Sequence, residues 1–213
     1  MPVLRWALAA LVVGCAVAGG LLAFGGSSHD TPKANAMAAS NVAAATWAAG
    51  RRPAPGFALV DQHGAPVSLA ALRGRPVLVT FIDPLCRDFC PIEAQHLNAV
   101  VRSLPASQKP EIVAVSVNTA GDTDPVLRED AAKWRLTPQW HWAIGSPAAL
   151  ARVWHAYGIE VLVTTQKIAG VRVRRIVHTE AAYLIDAHGD ERALFIWPYT
   201  AKAVLGSLRV LAA

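Results

Sequence analysis

Cysteine is scarce in this chain, with three residues in 213. That excludes a small scaffold stapled by several disulfides. Charge is thin as well, at 16% of residues. The one local cluster of a single sign is Arg172, Arg174 and Arg175. No nucleic-acid-binding motif stands beside it, so the net charge of +5 reads as a solvated basic surface, with no nucleic acid as partner. No internal repeat is visible, which argues against stacked-repeat architectures. The chain is 54% hydrophobic, too apolar to stay disordered over most of its length. Without its N-terminal apolar and polar segments about 160 residues remain, enough for one domain with a full core.

The first apolar segment sets the expected compartment. Trp6 to Gly26 carries no charge and follows a lone Arg5. As a helix it would span about 30 Å, the thickness of a bilayer's hydrocarbon core. Residues 1–26 are therefore expected to be a single-pass anchor in a bacterial cytoplasmic membrane, with the domain on the extracytoplasmic side, periplasmic or outer. Two other readings compete: a cleaved signal peptide, and a lipoprotein signal, because Val12-Val13-Gly14-Cys15 resembles a lipobox. The apolar run continuing through Leu21, Leu22 and Phe24 disfavours the last. Residues 27–55 are small, polar and Ala-rich and end in Arg51-Arg52-Pro53-Ala54-Pro55. They are expected to form a flexible linker, with a frayed helix over Val42 to Ala49 on propensity alone. Residues 56–213 are then the domain.

Within it, Phe57 to Val60 and Pro66 to Leu69 flank a Gly turn and read as a hairpin. Val77 to Ile82 and Ile112 to Val117 are continuous apolar runs of buried-strand type. Ala94, Leu97, Val101 and Leu104 have helical spacing, and Pro125 to Trp134 reads as a second helix. Ser146-Pro147 is an N-cap followed by Pro at the first helical position, with Gly158 closing that helix. Ala182 to Ile185 and Arg192 to Ile196 are two strands around a turn, and Thr200 caps a last helix to Leu211. Parallel crossovers first and an antiparallel pair last imply an α/β fold, thioredoxin-like, with a mixed central sheet.

Cys86 and Cys90 stand where the strand Val77 to Ile82 passes into a helix. Four residues apart, they share one helical face with Cα atoms about 6 Å apart, close enough for a reversible disulfide or for one shared metal ion. The helix N-terminus favours thiolate over thiol. Cys90 continues the apolar stripe and is expected to be the buried sulfur, with Cys86 more exposed. Two sulfurs need a further ligand, and His is the commonest. His29 falls in the linker, His63 and His188 in turns, His96 and His155 on helices, and His141 between two tryptophans. His178 precedes the strand Ala182 to Ile185, in the loop entering the second half of the sheet.

The pair Cys86 and Cys90 followed by Pro91, together with His178-Thr179 shortly before Tyr183-Leu184-Ile185, resembles the SCO/SenC proteins. So do Asp61-Gln62-His63-Gly64, Leu72-Arg73-Gly74-Arg75-Pro76-Val77-Leu78-Val79 and Val115-Ser116-Val117 with Asp122-Thr123. The resemblance runs in order over residues 56 to 197. It implies a tethered thioredoxin-like domain that binds copper, Cu(I) or Cu(II), through Cys86, Cys90 and His178. It also implies a partner, the copper-receiving subunit of a cytochrome c oxidase or its assembly factors, and thiol–disulfide chemistry at the Cys86–Cys90 redox pair. Soft thiolates suit Cu(I) independently. There are departures from the usual Cys-Pro-Asp-Val-Cys-Pro: Arg87 and Phe89 replace Pro and Val. Asn118-Thr119 stands where Asp-Pro is usual, and Asp83-Pro84 precedes the first cysteine. Arg87 is expected to favour thiolate and Asp83 to oppose it.

Three functions compete on these residues: a copper metallochaperone, an extracytoplasmic thiol–disulfide oxidoreductase that carries no metal, and a peroxide-reducing enzyme. His178 discriminates, since an oxidoreductase needs only the cysteine pair. The arginines near His178 are expected to rim the site and steer an acidic client surface.

Overall fold

The computed structural model describes residues 39–212. The anchor expected over residues 1–26 and the first part of the linker lie outside them. Among the described residues no helix is long and apolar enough to cross a membrane.

The chain runs β1 (Ala45–Thr46), β2 (Ala58–Val60), β3 (Pro66–Ser68), β4 (Val77–Ile82), α1 (Phe89–Ser103), β5 (Glu111–Ser116), α2 (Asp124–Lys133), β6 (Trp140–Ala143), α3 (Pro147–Ala156), β7 (Val161–Ile168), β8 (Val171–His178), β9 (Ala181–Ile185), β10 (Glu191–Ile196) and α4 (Ala201–Ala212). Six strands form one mixed sheet in the order β1-β10-β9-β4-β5-β6. The β4–β5 and β5–β6 pairs are parallel, while β9 is antiparallel to both β4 and β10.

Alternation along β4 explains why its whole run is apolar. Leu78 and Ile82 pack with Cys90, Ala94, Leu97 and Val101 of α1 and with Val204 of α4. Val77, Val79 and Phe81 join Leu150 and Val153 of α3 on the opposite face. A central strand covered on both sides needs apolar residues at every position. Thr80 is the exception, and its hydroxyl is satisfied by Glu93 at 2.6 Å. Ser146 caps α3 by accepting from the Ala149 amide at 3.2 Å, as its sequence position implies.

The linker expectation needs correction. Ser40 donates to the Pro198 carbonyl at 2.9 Å, and Ala44 and Trp47 bond to Leu194 and Arg192. β1 pairs antiparallel with β10, and Arg52 forms an ion pair with Glu191, whose side chain is 1% exposed. The folded unit therefore begins by Ser40 instead of Gly56, and Val42 to Ala49 is not helical. The backbone of this Ala-rich stretch covers the open edge of β10, a role that needs no apolar pattern.

A second correction concerns the segment before His178. β7 and β8 form a two-stranded sheet of their own, joined at Ala169 and Gly170, whose φ values are 48° and 85°. Two consecutive left-handed residues suit the twist of a tight hairpin. His178 is thus the last residue of a strand, and Arg172, Arg174 and Arg175 belong to that strand instead of a loop.

Candidate metal centre

β4 delivers the chain into a tight loop. The Asp83 carboxylate accepts from the Leu85 amide at 2.8 Å and from the Asn118 side chain at 2.9 Å. Pro84 packs so closely on Gly121 that a Cβ there would sit 2.8 Å from the proline ring. The loop ends at the N-terminus of α1, whose cap residue Asp88 makes no side-chain cap bond. Cys86 takes up that position: its sulfur accepts from the Cys90 amide at 3.4 Å.

The two cysteines divide as their exposure dictates. A hydrogen bond from the Cys90 thiol is the main force lowering Cys86, to a pKa of about 6. Backbone N–H groups of Cys90, Asp88 and Phe89 reinforce it, and partial burial opposes it. Cys90 is fully buried, and both its donation to Cys86 and that burial push its thiol up. The pair is therefore a rim thiolate and an interior thiol. Arg87 plays no direct part. Its guanidinium turns to the Pro84 and Cys86 carbonyls at 3.0 and 2.9 Å and to Asp130 at 3.3 Å, fastening the loop to α2. The expectation that it favours thiolate is replaced by helix-end and Cys90 donors.

His178 enters from the end of β8 with its side chain 4% exposed. Its Nδ1 bonds to the Thr179 carbonyl at 3.1 Å, which leaves the Nε2 lone pair of a neutral ring free to act as an acceptor. Burial lowers its pKa, with the Thr179 contact opposing. Nε2 meets Glu180 Oε1 at 3.1 Å. Burial first, then the charges of Glu93 and Cys86, raise Glu180 to about 8.

Donor atoms of Cys90, His178 and Glu180 all lie within 4.8 Å of one another. Of the three ligands expected from sequence, Cys90 and His178 meet inside this group. Cys86 stands outside it, bonded to Cys90 at the rim. His63, His155 and His188 are exposed, while His96 and His141 are bonded to Tyr199 and Glu111.

Two acids were not foreseen. Glu180 lies two residues beyond His178, the spacing that returns to one side of an extended chain. Glu93 lies three beyond Cys90, hence on the same helical face. It accepts from the Thr80 and Tyr199 hydroxyls, each at 2.6 Å, and burial raises it to about 7.

The site opens into a cleft of about 840 Å³ between the Asp83–Phe89 loop, Asn118, Ala120, the β7–β8 hairpin and Trp197. Arg174 donates to Asn118 at 3.0 Å, and Asn118 donates on to Asp83. This chain ties the hairpin to the cysteine loop and gives the unusual Asn118 a bridging role. One sulfur, an imidazole nitrogen and a carboxylate converge, with the second sulfur hydrogen-bonded beside them, and these donor types fit a soft or borderline transition-metal ion. That second sulfur is already a thiolate at neutral pH.

The profile of the SCO1/SenC family matches residues 48–212. Protein SenC of Rhodobacter capsulatus is 30% identical over 132 residues, 61% of this chain. That match spans only 57% of the length of SenC. The copper-bound structure of Bradyrhizobium japonicum ScoI superposes with a TM-score of 0.64 at 24% identity, over 75% of this chain and 99% of that one. Apo Sco1 of Thermus thermophilus gives 0.62 at 25% identity, over 75% of this chain and 91% of its own.

Proposed function

This chain belongs to the SCO1/SenC family, and we propose on that footing that it carries copper for cytochrome c oxidase assembly, held by Cys86, Cys90 and His178 and handed to the dinuclear copper site of an oxidase subunit. The observation that carries this reading is that Cys90 and His178 place donor atoms within 4.8 Å of each other at a cleft lined by Cys86 and His178.

Each residue has a part. Cys86, already deprotonated, is the first sulfur an incoming ion reaches. Cys90 surrenders its proton on ligation and supplies the interior sulfur. His178, oriented by the Thr179 carbonyl, presents Nε2. On release the order reverses: a client thiolate reaches the Cys86 position first, because that sulfur is at the rim. Bound copper contributes only its affinity for soft sulfur ligands.

The test is transfer. The copper-loaded chain, mixed with the apo copper-binding domain of an oxidase subunit, should lose its metal to that domain. Retention by this chain at equilibrium would contradict delivery. Replacing Arg172 and Arg175 with Gln should slow transfer about 3- to 10-fold at low salt, with the deficit shrinking as salt screens the attraction. Arg174 is left in place because it holds Asn118. Equal rates at low salt would end the steering idea alone.

The lowered pKa of Cys86 also supports a second reading, reduction of client disulfides. There the Cys86 thiolate attacks one client sulfur and displaces the other as thiolate, which takes up a proton. Cys90, deprotonating, then attacks Cys86 Sγ and expels the client thiol, so that one disulfide is reduced as Cys86–Cys90 is oxidised. His178→Ala separates the readings: reduction should survive it and copper transfer should not.

We place the domain on the extracytoplasmic side of a bacterial membrane, with residues 1–26 as anchor, on the strength of the uncharged Trp6 to Gly26 run. A phosphatase fused to the C-terminus should be active and fractionate with membranes. An inactive fusion would overturn the topology, and a soluble active one would favour a cleaved signal.

A further inference from the structure

Glu180 is a half-buried acid, its side chain 24% exposed, with one carboxylate oxygen shut away from solvent. Its Oε2 has no hydrogen-bond partner. Among the described residues its one ion-pair contact is with the His178 imidazole. Nearby, Glu93 also carries an oxygen without a partner, so the second acid offers no compensation. A carboxyl oxygen shut away from water without a partner is costly unless a ligand reaches it. Its Oε1 lies 3.1 Å from His178 Nε2, the nitrogen facing the cleft, and within 4.8 Å of the Cys90 sulfur.

We infer that Glu180 is a fourth metal ligand, and that it biases the site toward Cu(II). The inference rests on the copper-carrier reading and extends it. Two thiolates and an imidazole satisfy Cu(I), which accepts three soft donors. A carboxylate oxygen is a hard donor and adds little to Cu(I). To Cu(II) it supplies both a favoured ligand type and a negative charge that offsets the second positive charge of the ion. On Cu(II) binding the Glu180 oxygen that now stands beside His178 Nε2 turns to the metal. The same residue thus sits against the imidazole nitrogen in the empty protein and completes the ligand set in the loaded one.

The experiment compares the parent full chain with Glu180→Gln and Glu180→Asp, using chelator competition for Cu(I) under reductant and for Cu(II) anaerobically. Glu180→Gln should weaken Cu(II) binding about 10-fold or more and shift Cu(I) affinity by less than about 3-fold. Each tenfold change in that ratio raises the potential of bound copper by about 59 mV for one electron. Glu180→Asp, which keeps a carboxylate on a shorter arm, should recover part of the Cu(II) affinity. Equal losses for both ions, or no loss for either, would overturn the ligand role. Should Glu180→Gln lose its near-UV circular dichroism, the Asp variant decides by the same split. A parent chain that takes up neither ion would sink the copper-carrier reading itself, an outcome distinct from a parent that binds both without a Glu180 effect.

Discussion

Cys90→Ser and His178→Ala are each expected to lower copper affinity by about 100-fold or more, beyond the 10- to 100-fold typical of groups that only support a ligand. Cys90 is the interior sulfur. Serine in its place is a poor ligand for a soft ion. Its hydroxyl still donates to Cys86, so the loss is that of the interior sulfur itself. His178→Ala removes the only imidazole in the cluster and leaves Glu180 facing the Cys90 sulfur. Cys86→Ser should weaken binding by a comparable factor, because Cys86 is the ligand ionised before the metal arrives. Chelator competition together with the visible spectrum of the Cu(II) form checks all three. Unchanged affinity and spectrum in His178→Ala would rule out the Cys86, Cys90 and His178 ligand set, whatever the cysteine variants show.

Alkylation should discriminate sharply between the two sulfurs. At neutral pH iodoacetamide is expected to modify Cys86 and spare the fully buried Cys90. The sign follows from the lowered pKa: thiolate forms as pH rises, so the rate should climb through a midpoint near about 6 and level off above it. Relative to a thiol of ordinary pKa about 8.5, the thiolate fraction at pH 7 is about 30-fold larger. Cys90→Ala should return the midpoint toward the ordinary range, because the largest lowering contribution comes from the Cys90 side chain. Mild oxidation should give an intramolecular Cys86–Cys90 disulfide that no longer takes up copper, since a disulfide offers no thiolate. Equal labelling of both cysteines, or recovery of intermolecular dimers alone, would count against the split pair.

The centre of the fold was readable because burial leaves a mark on residue choice. β4 and β5 are apolar at nearly every position, and α1 repeats its apolar residues on one face, since neighbours cover them. β1 left no mark: two residues bond through their backbones to an edge, and backbone bonds are blind to side chains. The β7–β8 hairpin was hidden for the opposite reason. Both its strands are largely exposed, so no inside–outside contrast develops, and its Ala169-Gly170 turn lacks the Asn or Asp that usually signals one. Arg172 to Arg175 therefore looked like a loop.

At the site, Cys86, Cys90 and His178 stood out because their residue types are rare and chemically specific. Glu180 did not, since a single Glu is ordinary in any sequence. Only the folded chain shows its carboxylate beside His178 Nε2. Arg87 was legible as a charge but not as a direction, and its direction, toward Asp130 and two carbonyls, decides what it does.

Ser40 is stitched to the sheet on both sides, donating to the Pro198 carbonyl and accepting from the Thr200 amide at 3.0 Å. The next residue back from Pro198 is Trp197, part of the cleft wall. Whatever holds this domain by its N-terminus therefore holds it as a leash clipped beside the mouth. A cleft on the leashed side sweeps the space around the attachment point. A receiver fixed near that point meets it at a raised effective concentration, with no added contact. A receiver diffusing freely gains nothing from the leash.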